Sequence, residues 1–233
     1  MSDFAPVPRS GRRFSHSRRV RLGDVGPEGT LRPDALARYL QDVAGDDWDD
    51  AVGPDEDTWV VRRTSVRRAE GGRWPALGEI VTVSTWCAGT GAAWAERRSD
   101  VAIDGVVMLD ATALWVPIGP DGRPRRLWRD FVGIYGEYAA RKVSGRVASA
   151  ELDPMAPTRA WPVRRSDLDV VGHVNNAAVW EAISEVTGAS LRAATVVHVG
   201  SLEAGEDVRL AVAAGRMWLV VDGAVRVAGE FDG

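Results

Sequence analysis

The sequence predicts an α+β protein made of two similar modules in tandem, each with a central helix packed on an antiparallel sheet. Three observations lead to this prediction. A helical pattern followed by several short strands occurs twice in the 233 residues. The second occurrence repeats residues of the first at a fixed offset. Each occurrence also contains the hairpin dipeptide Asp-Gly between two strands, at Asp104-Gly105 and at Asp222-Gly223.

The first module begins with an amphipathic helix, predicted over Pro33–Val52. Proline suits the first turn of a helix, and apolar residues follow at spacings i, i+3, i+4, i+7 and i+8. The expected buried stripe is Leu36, Tyr39, Leu40, Val43 and Ala44. Alternating and β-branched runs then predict four strands, at Trp59–Arg68, Glu79–Cys87, Ala93–Ile103 and Val106–Ile118.

The second module repeats this order after a segment of poor periodicity that contains Pro154 and Pro157. Val179, Ile183 and Val186 form its helical stripe. Strands are predicted at Thr195–Glu203, Asp207–Ala213, Met217–Val221 and Ala224–Phe231. We therefore assign residues 14–136 to the first module, 137–158 to a connector and 159–233 to the second module.

An offset of 143 positions sets Val20–Gly45 without gaps on Val163–Gly188. The identical pairs are Val20/Val163, Arg21/Arg164, Asp24/Asp167, Gly29/Gly172, Ala35/Ala178, Val43/Val186 and Gly45/Gly188. Chance similarity of alanine- and valine-rich segments is the alternative, but ordered matches across helix, strand and turn favour duplication. The copies differ in polar side chains, because Asp169, His173 and Asn175 face Gly26, Thr30 and Arg32.

Composition excludes several classes of protein. The apolar fraction of 45% rules out disordered and fibrous chains, and a net charge of −4 disfavours nucleic acid as a partner. Cys87 is the single cysteine, so neither an internal disulfide nor a cysteine metal cluster is expected. No apolar run is long enough to span a membrane and no secretory signal is evident, so we expect a cytoplasmic protein without metal or cofactor.

Acyl transfer to water is the chemistry that the second copy favours. A carboxylate, an imidazole and an amide lie within seven residues before a helix, whose free N–H groups stabilise a developing oxyanion. The structural alternative is that Asp169 forms a turn and an asparagine caps the helix, the role we expect for Asn176. Nucleophile-elbow, phosphate-loop and zinc-binding motifs do not occur in the sequence.

The stretch Ser166–Asn176 resembles the S-D-L-D-x-x-x-H-V-N-N motif of acyl-acyl carrier protein thioesterases, which are tandem hotdog enzymes of plants and bacteria. Thr85-Trp86, Leu114-Trp115-Val116 and Arg125–Arg129 look like signatures of the first hotdog module in that group. The pattern D-x-D-x-x-G-H-V-N-N of single-hotdog acyl-CoA thioesterases fits nearly as well.

The resemblance implies that Asp169 and His173 occupy catalytic positions. The family's Glu-Cys-Gly looks like Glu203-Ala204-Gly205, which implies a catalytic role for Glu203. A family asparagine is replaced by Val171 and the cysteine by Ala204, so we expect Asn175 to supply the missing amide. In this hypothesis Glu203 or Asp169 activates water, helix N–H groups with Asn175 hold the oxyanion, and His173 orients the water or the substrate.

Tryptophans and arginines suggest how substrate and partner bind. We expect Trp86, Trp94 and Trp115 to line an acyl chamber. Carrier proteins are acidic, so the arginine clusters form a candidate docking surface, with Arg62, Arg63, Arg125, Arg126 and Arg129 as its members; solvated faces are the alternative. The expected state is a monomeric pseudo-dimer or a homodimer. The alternative functions are an acyl-CoA thioesterase and an acyl-binding protein whose catalytic site has decayed.

Overall fold

The computed structural model describes residue 7 and residues 10–52, 58–147, 151–188 and 191–233. Three α-helices lie in these ranges: α1 (Pro33–Ala51), α2 (Phe131–Tyr135) and α3 (Trp180–Thr187). The strands are β1 (Phe14–Arg19), β2 (Thr58–Arg68), β3 (Ile80–Thr90), β4 (Ala95–Ile103), β5 (Val106–Ile118), β6 (Thr158–Ala160), β7 (Ala193–His198), β8 (Arg209–Ala213), β9 (Arg216–Val221) and β10 (Ala224–Asp232).

All ten strands belong to one antiparallel sheet in the order β1-β3-β4-β5-β2-β7-β10-β9-β8-β6. Strands of the first module occupy one half and strands of the second module the other. The two halves join where β2 pairs with β7, from Arg63 opposite Val197 to Arg67 opposite Ala193. The predicted α+β architecture, a helix on an antiparallel sheet occurring twice, is confirmed.

The helix α1 buries the stripe that its sequence predicts. Leu36, Tyr39 and Val43 are at most 2% exposed and belong to a core shared with Trp180 and Ile183 of α3. The helix begins at Pro33, as expected of a proline that lacks an N–H to donate. The central helix of the second module, α3, is shorter than α1. It ends before Gly188, which has a φ of +56°, whereas α1 continues through the equivalent residue, Gly45.

Most predicted strands are confirmed to within a few residues, and three differences have physical reasons. β7 ends at His198 rather than at Glu203, because the N–H groups of Val199 and Gly200 both bond to the carbonyl of Arg226 and break the ladder. β6 lies at residues 158–160, where the predicted connector meets the second module, and is a three-residue edge strand. β1 crosses a segment rich in arginine that shows no apolar alternation.

The predicted hairpins are confirmed in both modules. Asp104 and Gly105 have φ values of +49° and +80°, and Asp222 and Gly223 have +49° and +77°. Positive φ at both central residues is the requirement of the tight turn that matches the twist of paired strands. Ala214 and Gly215 make a third turn of this kind, with φ values of +47° and +73°. Alanine gives no signal for such a turn, so the sequence did not predict it.

Backbone hydrogen bonds in the two copies follow the 143-residue repeat. The loop before each central helix closes with the same hydrogen bonds in both copies. These pairs are Gly26 N to Thr30 O with Asp169 N to His173 O, Arg32 N to Asp24 O with Asn175 N to Asp167 O, and Leu31 N to Pro75 O with Val174 N to Leu202 O. Gly29 and Gly172 have φ values of +74° and +87°. The duplicated loops therefore share one backbone and differ in their side chains.

The two modules also meet through their helices. Arg38 of α1 and Glu181 of α3 occupy equivalent positions of the repeat and face each other, with Nη2 3.5 Å from Oε1. A contact between equivalent residues marks the pseudo-two-fold axis of the tandem pair. Asp34, fully buried, bonds to Arg32 and Arg38 beside this contact.

The arginines at the start of the chain are engaged within the molecule. Arg12 bonds to Asp47 at 2.6 Å and to Asp50 at 2.7 Å, and Arg18 bonds to Asp42 at 2.8 Å. These aspartates lie on α1, so β1 and its flanks are held along that helix by ion pairs.

Candidate active site

The loop between Arg164 and α3 carries three of the four predicted catalytic residues. Its 3₁₀ turn closes when the N–H of Arg164 donates to Asp167 Oδ2 at 2.8 Å, which repeats the bond from Arg21 to Asp24 in the first copy. Asp169 then folds the loop back, since its Oδ1 accepts the N–H groups of Val171 at 3.0 Å and His173 at 3.1 Å. The carboxylate of Asp169 therefore does form the turn that the structural alternative expected.

His173 and Glu203 come together across an isolated β-bridge. The imidazole Nε2 lies 4.0 Å from Glu203 Oε1, and the two side chains are 48% and 58% exposed. In the first copy the same bridge joins Thr30 and Ala76, so the pairing of an imidazole with a carboxylate at this bridge is confined to the second module. The structure therefore brings Asp169, His173 and Glu203 into one surface cluster.

Asn175 follows this cluster in the loop and lines a cavity together with residues of the first module. Its Oδ1 accepts the N–H of Ala177 at 2.8 Å, and its backbone carbonyl accepts the N–H of Ala178 at 2.9 Å. Two expectations are wrong here. Asn175 rather than Asn176 takes the capping bond, and the N–H groups of Ala177 and Ala178 are already bonded to Asn175 instead of being free for an oxyanion.

A largely apolar cavity of about 280 Å³ lies in the first module between α1 and the sheet. We call it the chamber. Its aromatic wall consists of Trp48, Trp59, Trp115 and Phe131, and Ala44, Cys87 and Ala95 complete the apolar lining. Trp48 packs edge to face on Trp59 with ring centroids 5.3 Å apart. Burial raises the pKa of the Cys87 thiol to about 11, which makes it an apolar wall residue and a poor nucleophile.

Of the three tryptophans predicted to line an acyl chamber, Trp115 alone is part of this wall. Successive residues of a strand point to opposite faces, and on β3 it is Cys87 that faces the chamber while Trp86 faces away. Trp86 is fully buried between the guanidinium groups of Arg13 and Arg98, each 5.5 Å from its ring centroid. Trp94 lies at the turn before β4 and donates to the carbonyl of Val143 at 3.0 Å.

Two further cavities lie between the chamber and the loop of the second module. A narrow passage of about 20 Å³ shares Gln41, Arg97 and Trp115 with the chamber and reaches Asn176 and Ala177. A polar cavity of about 410 Å³ shares Gln41 with both and is lined by Asn175 and by charged residues of the first module. In this polar cavity, burial and the hydrogen bond to Asp24 raise the pKa of Tyr39.

One face of α1 that the sequence reasoning missed lines the chamber. Gln41, Ala44, Gly45 and Trp48 follow one another at spacings i, i+3, i+4 and i+7. This row shares Ala44 with the predicted stripe and otherwise lies beside it. The signal that could have identified it is a second helical row, in which small residues leave space between an amide and a tryptophan.

Buried charge surrounds the chamber. Arg97 lines it and bonds to Asp47 Oδ2 at 2.5 Å, and Asp47 is 1% exposed. Arg63, expected on a docking surface, instead lies 3.1 Å from buried Glu96 of the chamber wall. Arg62 is half-buried on β2, whereas Arg125, Arg126 and Arg129 are exposed. These three flank Trp128, which packs on Trp48 at the aromatic end of the chamber.

The described ranges contain neither a metal-site arrangement nor a membrane-spanning helix. No group of three or more His, Cys, Asp or Glu side chains there has the arrangement of a metal site. None of the helices in these ranges is long and apolar enough to cross a membrane.

Comparison with known proteins matches both halves of the chain. The family model "Acyl-ACP thioesterase N-terminal domain" matches residues 11–135, and "Acyl-ACP thioesterase C-terminal domain" matches residues 153–210. An oleoyl-acyl carrier protein thioesterase from the chloroplast of Coriandrum sativum is 29% identical over 190 residues, which are 68% of this chain and 49% of the coriander protein.

Solved structures show the same fold. The 12:0-ACP thioesterase from Umbellularia californica superposes with a TM-score of 0.77 at 20% identity, covering 97% of this chain and 98% of that one. An acyl-ACP thioesterase from Bacteroides thetaiotaomicron gives a TM-score of 0.75 at 20% identity, covering 94% and 96%. The fold is thus the tandem hotdog that the motif resemblance implied. Because the two family models together match more than half of its residues, the chain belongs to the acyl-ACP thioesterase family and is a thioester hydrolase.

Proposed function

We propose that this protein hydrolyses acyl thioesters of acyl carrier protein, releasing a free fatty acid. The observation that carries the proposal is the series of neighbouring cavities from the polar cavity at Asn175, through the passage, to the apolar chamber. An acyl-pantetheine thioester has the same order of polarity, with a polar arm, a reacting carbonyl and an apolar chain. We place the acyl chain in the chamber and the pantetheine arm in the polar cavity.

Glu203 is the better placed of the two candidate bases. Asp169 uses Oδ1 to accept two backbone N–H groups, whereas the side chain of Glu203 contacts the imidazole of His173. We infer that Glu203, oriented by His173, takes a proton from the attacking water. Asp169 fixes the loop that carries the imidazole.

The reaction then needs little acid assistance. The water oxygen bonds to the thioester carbonyl carbon, and the resulting oxyanion accepts a hydrogen bond from the amide nitrogen of Asn175, whose carbonyl oxygen is held by Ala177. Collapse of this intermediate breaks the C–S bond and expels the pantetheine thiolate. A thiol pKa of roughly 8.5 makes that thiolate a good leaving group, so a small polar set suffices.

Release of free thiol from a panel of acyl-carrier and acyl-CoA thioesters of matched chain length tests the proposal. We expect Glu203→Gln to lower kcat by about 10² or more. Asp169→Asn keeps an oxygen that accepts the two backbone N–H groups, so it should retain most activity if Asp169 only forms the turn. Glu230→Gln, in an exposed cross-strand pair with Arg216, is the control. Turnover of Glu203→Gln at the wild-type rate would contradict the assignment.

Charge reversal of the exposed arginines tests separately whether the acyl group is delivered by acyl carrier protein or by CoA. Carrier proteins are acidic, so Arg126→Glu with Arg129→Glu should raise KM for acyl-carrier substrates several-fold and leave KM for acyl-CoA unchanged. Arg216→Glu, at an edge of the second module, is the matched charge reversal. Equal KM values for the carrier substrate in all variants would refute docking here, and faster wild-type turnover of acyl-CoA would favour that substrate class.

A further inference from the structure

We propose that Gln41 of the first module is a catalytic residue whose amide N–H donates to the carbonyl oxygen of the bound thioester. This inference rests on the proposed function and assigns a site residue outside the motif of the second module. It makes the active site a composite of the two modules, with one carboxamide contributed by each.

The position of Gln41 is the first support. It lines all three cavities described above: the chamber, the passage and the polar cavity. A substrate with its chain in the chamber and its pantetheine arm in the polar cavity must place its carbonyl where these spaces meet. Gln41 and Asn175 both line the polar cavity there, from opposite modules.

The state of its side chain is the second support. Gln41 is half-buried, and its amide has no hydrogen-bond partner among the residues that the structure describes. A partly desolvated amide without a partner is available to a ligand at little cost, because no internal hydrogen bond must be broken. Its nitrogen can donate to an oxyanion, as carboxamide side chains do in oxyanion holes.

The repeat supplies a third and independent observation. Arg32 and Ser184, the repeat equivalents of Asn175 and Gln41, also line one cavity, which has a volume of about 270 Å³. Ser184 donates to the carbonyl of Trp180 within its own helix. Two facing carboxamides therefore occur at one of the two equivalent positions. It is the position that lies next to the chamber.

The consequences for the reaction are specific. An oxyanion donor acts more strongly on the transition state than on the bound substrate, so its loss lowers kcat and leaves KM little changed. A residue that only shapes the cavity would instead change KM. The side chain lies on a helix in which leucine and glutamate are both well tolerated, so Gln41→Leu and Gln41→Glu should fold.

Steady-state kinetics on acyl-carrier thioesters compare Gln41→Leu and Gln41→Glu with the control Ser184→Ala, which truncates the equivalent residue of the other helix. We expect kcat to fall about 10² in Gln41→Leu, by at least as much in Gln41→Glu, and less than two-fold in the control, with KM within three-fold throughout. A kcat within three-fold of wild type in both Gln41 variants overturns the proposal.

A binding experiment separates this inference from the proposed function. The probes are an acyl-pantetheine ketone, with methylene in place of sulfur, and an S-alkyl-pantetheine of equal length, which lacks the carbonyl. Gln41→Leu should weaken binding of the ketone about two- to three-fold and leave binding of the S-alkyl compound unchanged. Equal loss for both probes overturns the role of Gln41. If Gln41→Leu weakens binding of the ketone alone, and the wild-type protein hydrolyses none of the thioesters, then the proposed hydrolysis is wrong while the contact of Gln41 with the carbonyl stands.

Discussion

Filling the chamber from α1 should shorten the acyl chain that the protein accepts. Ala44 is 8% exposed and lines the chamber of about 280 Å³, so its side chain points into the space assigned to the acyl chain. Leucine adds three carbons there and displaces about three methylenes of substrate. At about 0.8 kcal/mol per buried methylene, the longest chains lose about 2.4 kcal/mol, or about 50-fold in kcat/KM.

The assay is kcat/KM across acyl-carrier substrates that differ by two carbons, for wild type, Ala44→Leu and the control Asp49→Leu. Asp49 is exposed on the same helix, so the control adds an equal apolar volume outside the chamber. We expect the chain-length optimum of Ala44→Leu to move down by two to four carbons, with short chains unaffected. An unchanged profile in a folded Ala44→Leu protein would refute the placement of the acyl chain.

Two further predictions concern stability. Burial and the charge of Arg62 lower the pKa of His198 to about 4. Below about pH 6.5 the unfolded state therefore binds the extra proton, and the free energy of unfolding should fall by up to about 3 kcal/mol between pH 6.5 and 4. Urea titrations should show a smaller fall in His198→Asn, and equal slopes for both proteins would exclude this origin. Asp47→Ala should cost about 3–5 kcal/mol in the same titration at pH 7, because it leaves the guanidinium groups of Arg12 and Arg97 without their buried partner. A loss below 1 kcal/mol would contradict that reasoning.

Local patterns were sufficient to predict most of the fold. Pro33 and the apolar stripe from Leu36 to Ala44 were sufficient to predict the start and the buried face of α1, and the Asp-Gly dipeptides predicted two hairpins. Where prediction failed, a longer-range effect intervened. The end of β7 depends on which strand satisfies Val199 and Gly200, and three-residue β6 exists because it finds an edge on β8. The strand pair that joins the modules, β2 with β7, has no signature in either strand alone.

The candidate site, like the fold, could be predicted from the sequence only in part. Asp169 and His173 were predicted from one loop and its repeat partner, because the copies differ there in polar side chains, whereas Glu203 was predicted from the resemblance to the family. Which asparagine takes the capping bond depends on the direction of each side chain, and Asn175 takes the bond that was expected of Asn176. The chamber was harder to predict still. Trp86 was expected to line the chamber, but it points to the opposite face of the sheet from Cys87. Gln41 can be recognised as a cavity-lining residue only once the position of α1 against the second module is known.

The seam between β2 and β7 has a consequence for how such a site can arise. In a dimer of identical chains, any residue gained at one site appears at its twin, and assembly depends on protein concentration. Here the two halves belong to one chain, so the pairing of β2 with β7 is an intramolecular contact that does not dissociate on dilution. Each half can also mutate alone. The interior of the first module opens as the chamber, whereas Ile183, Leu191 and Met217 of the second module are at most 1% exposed.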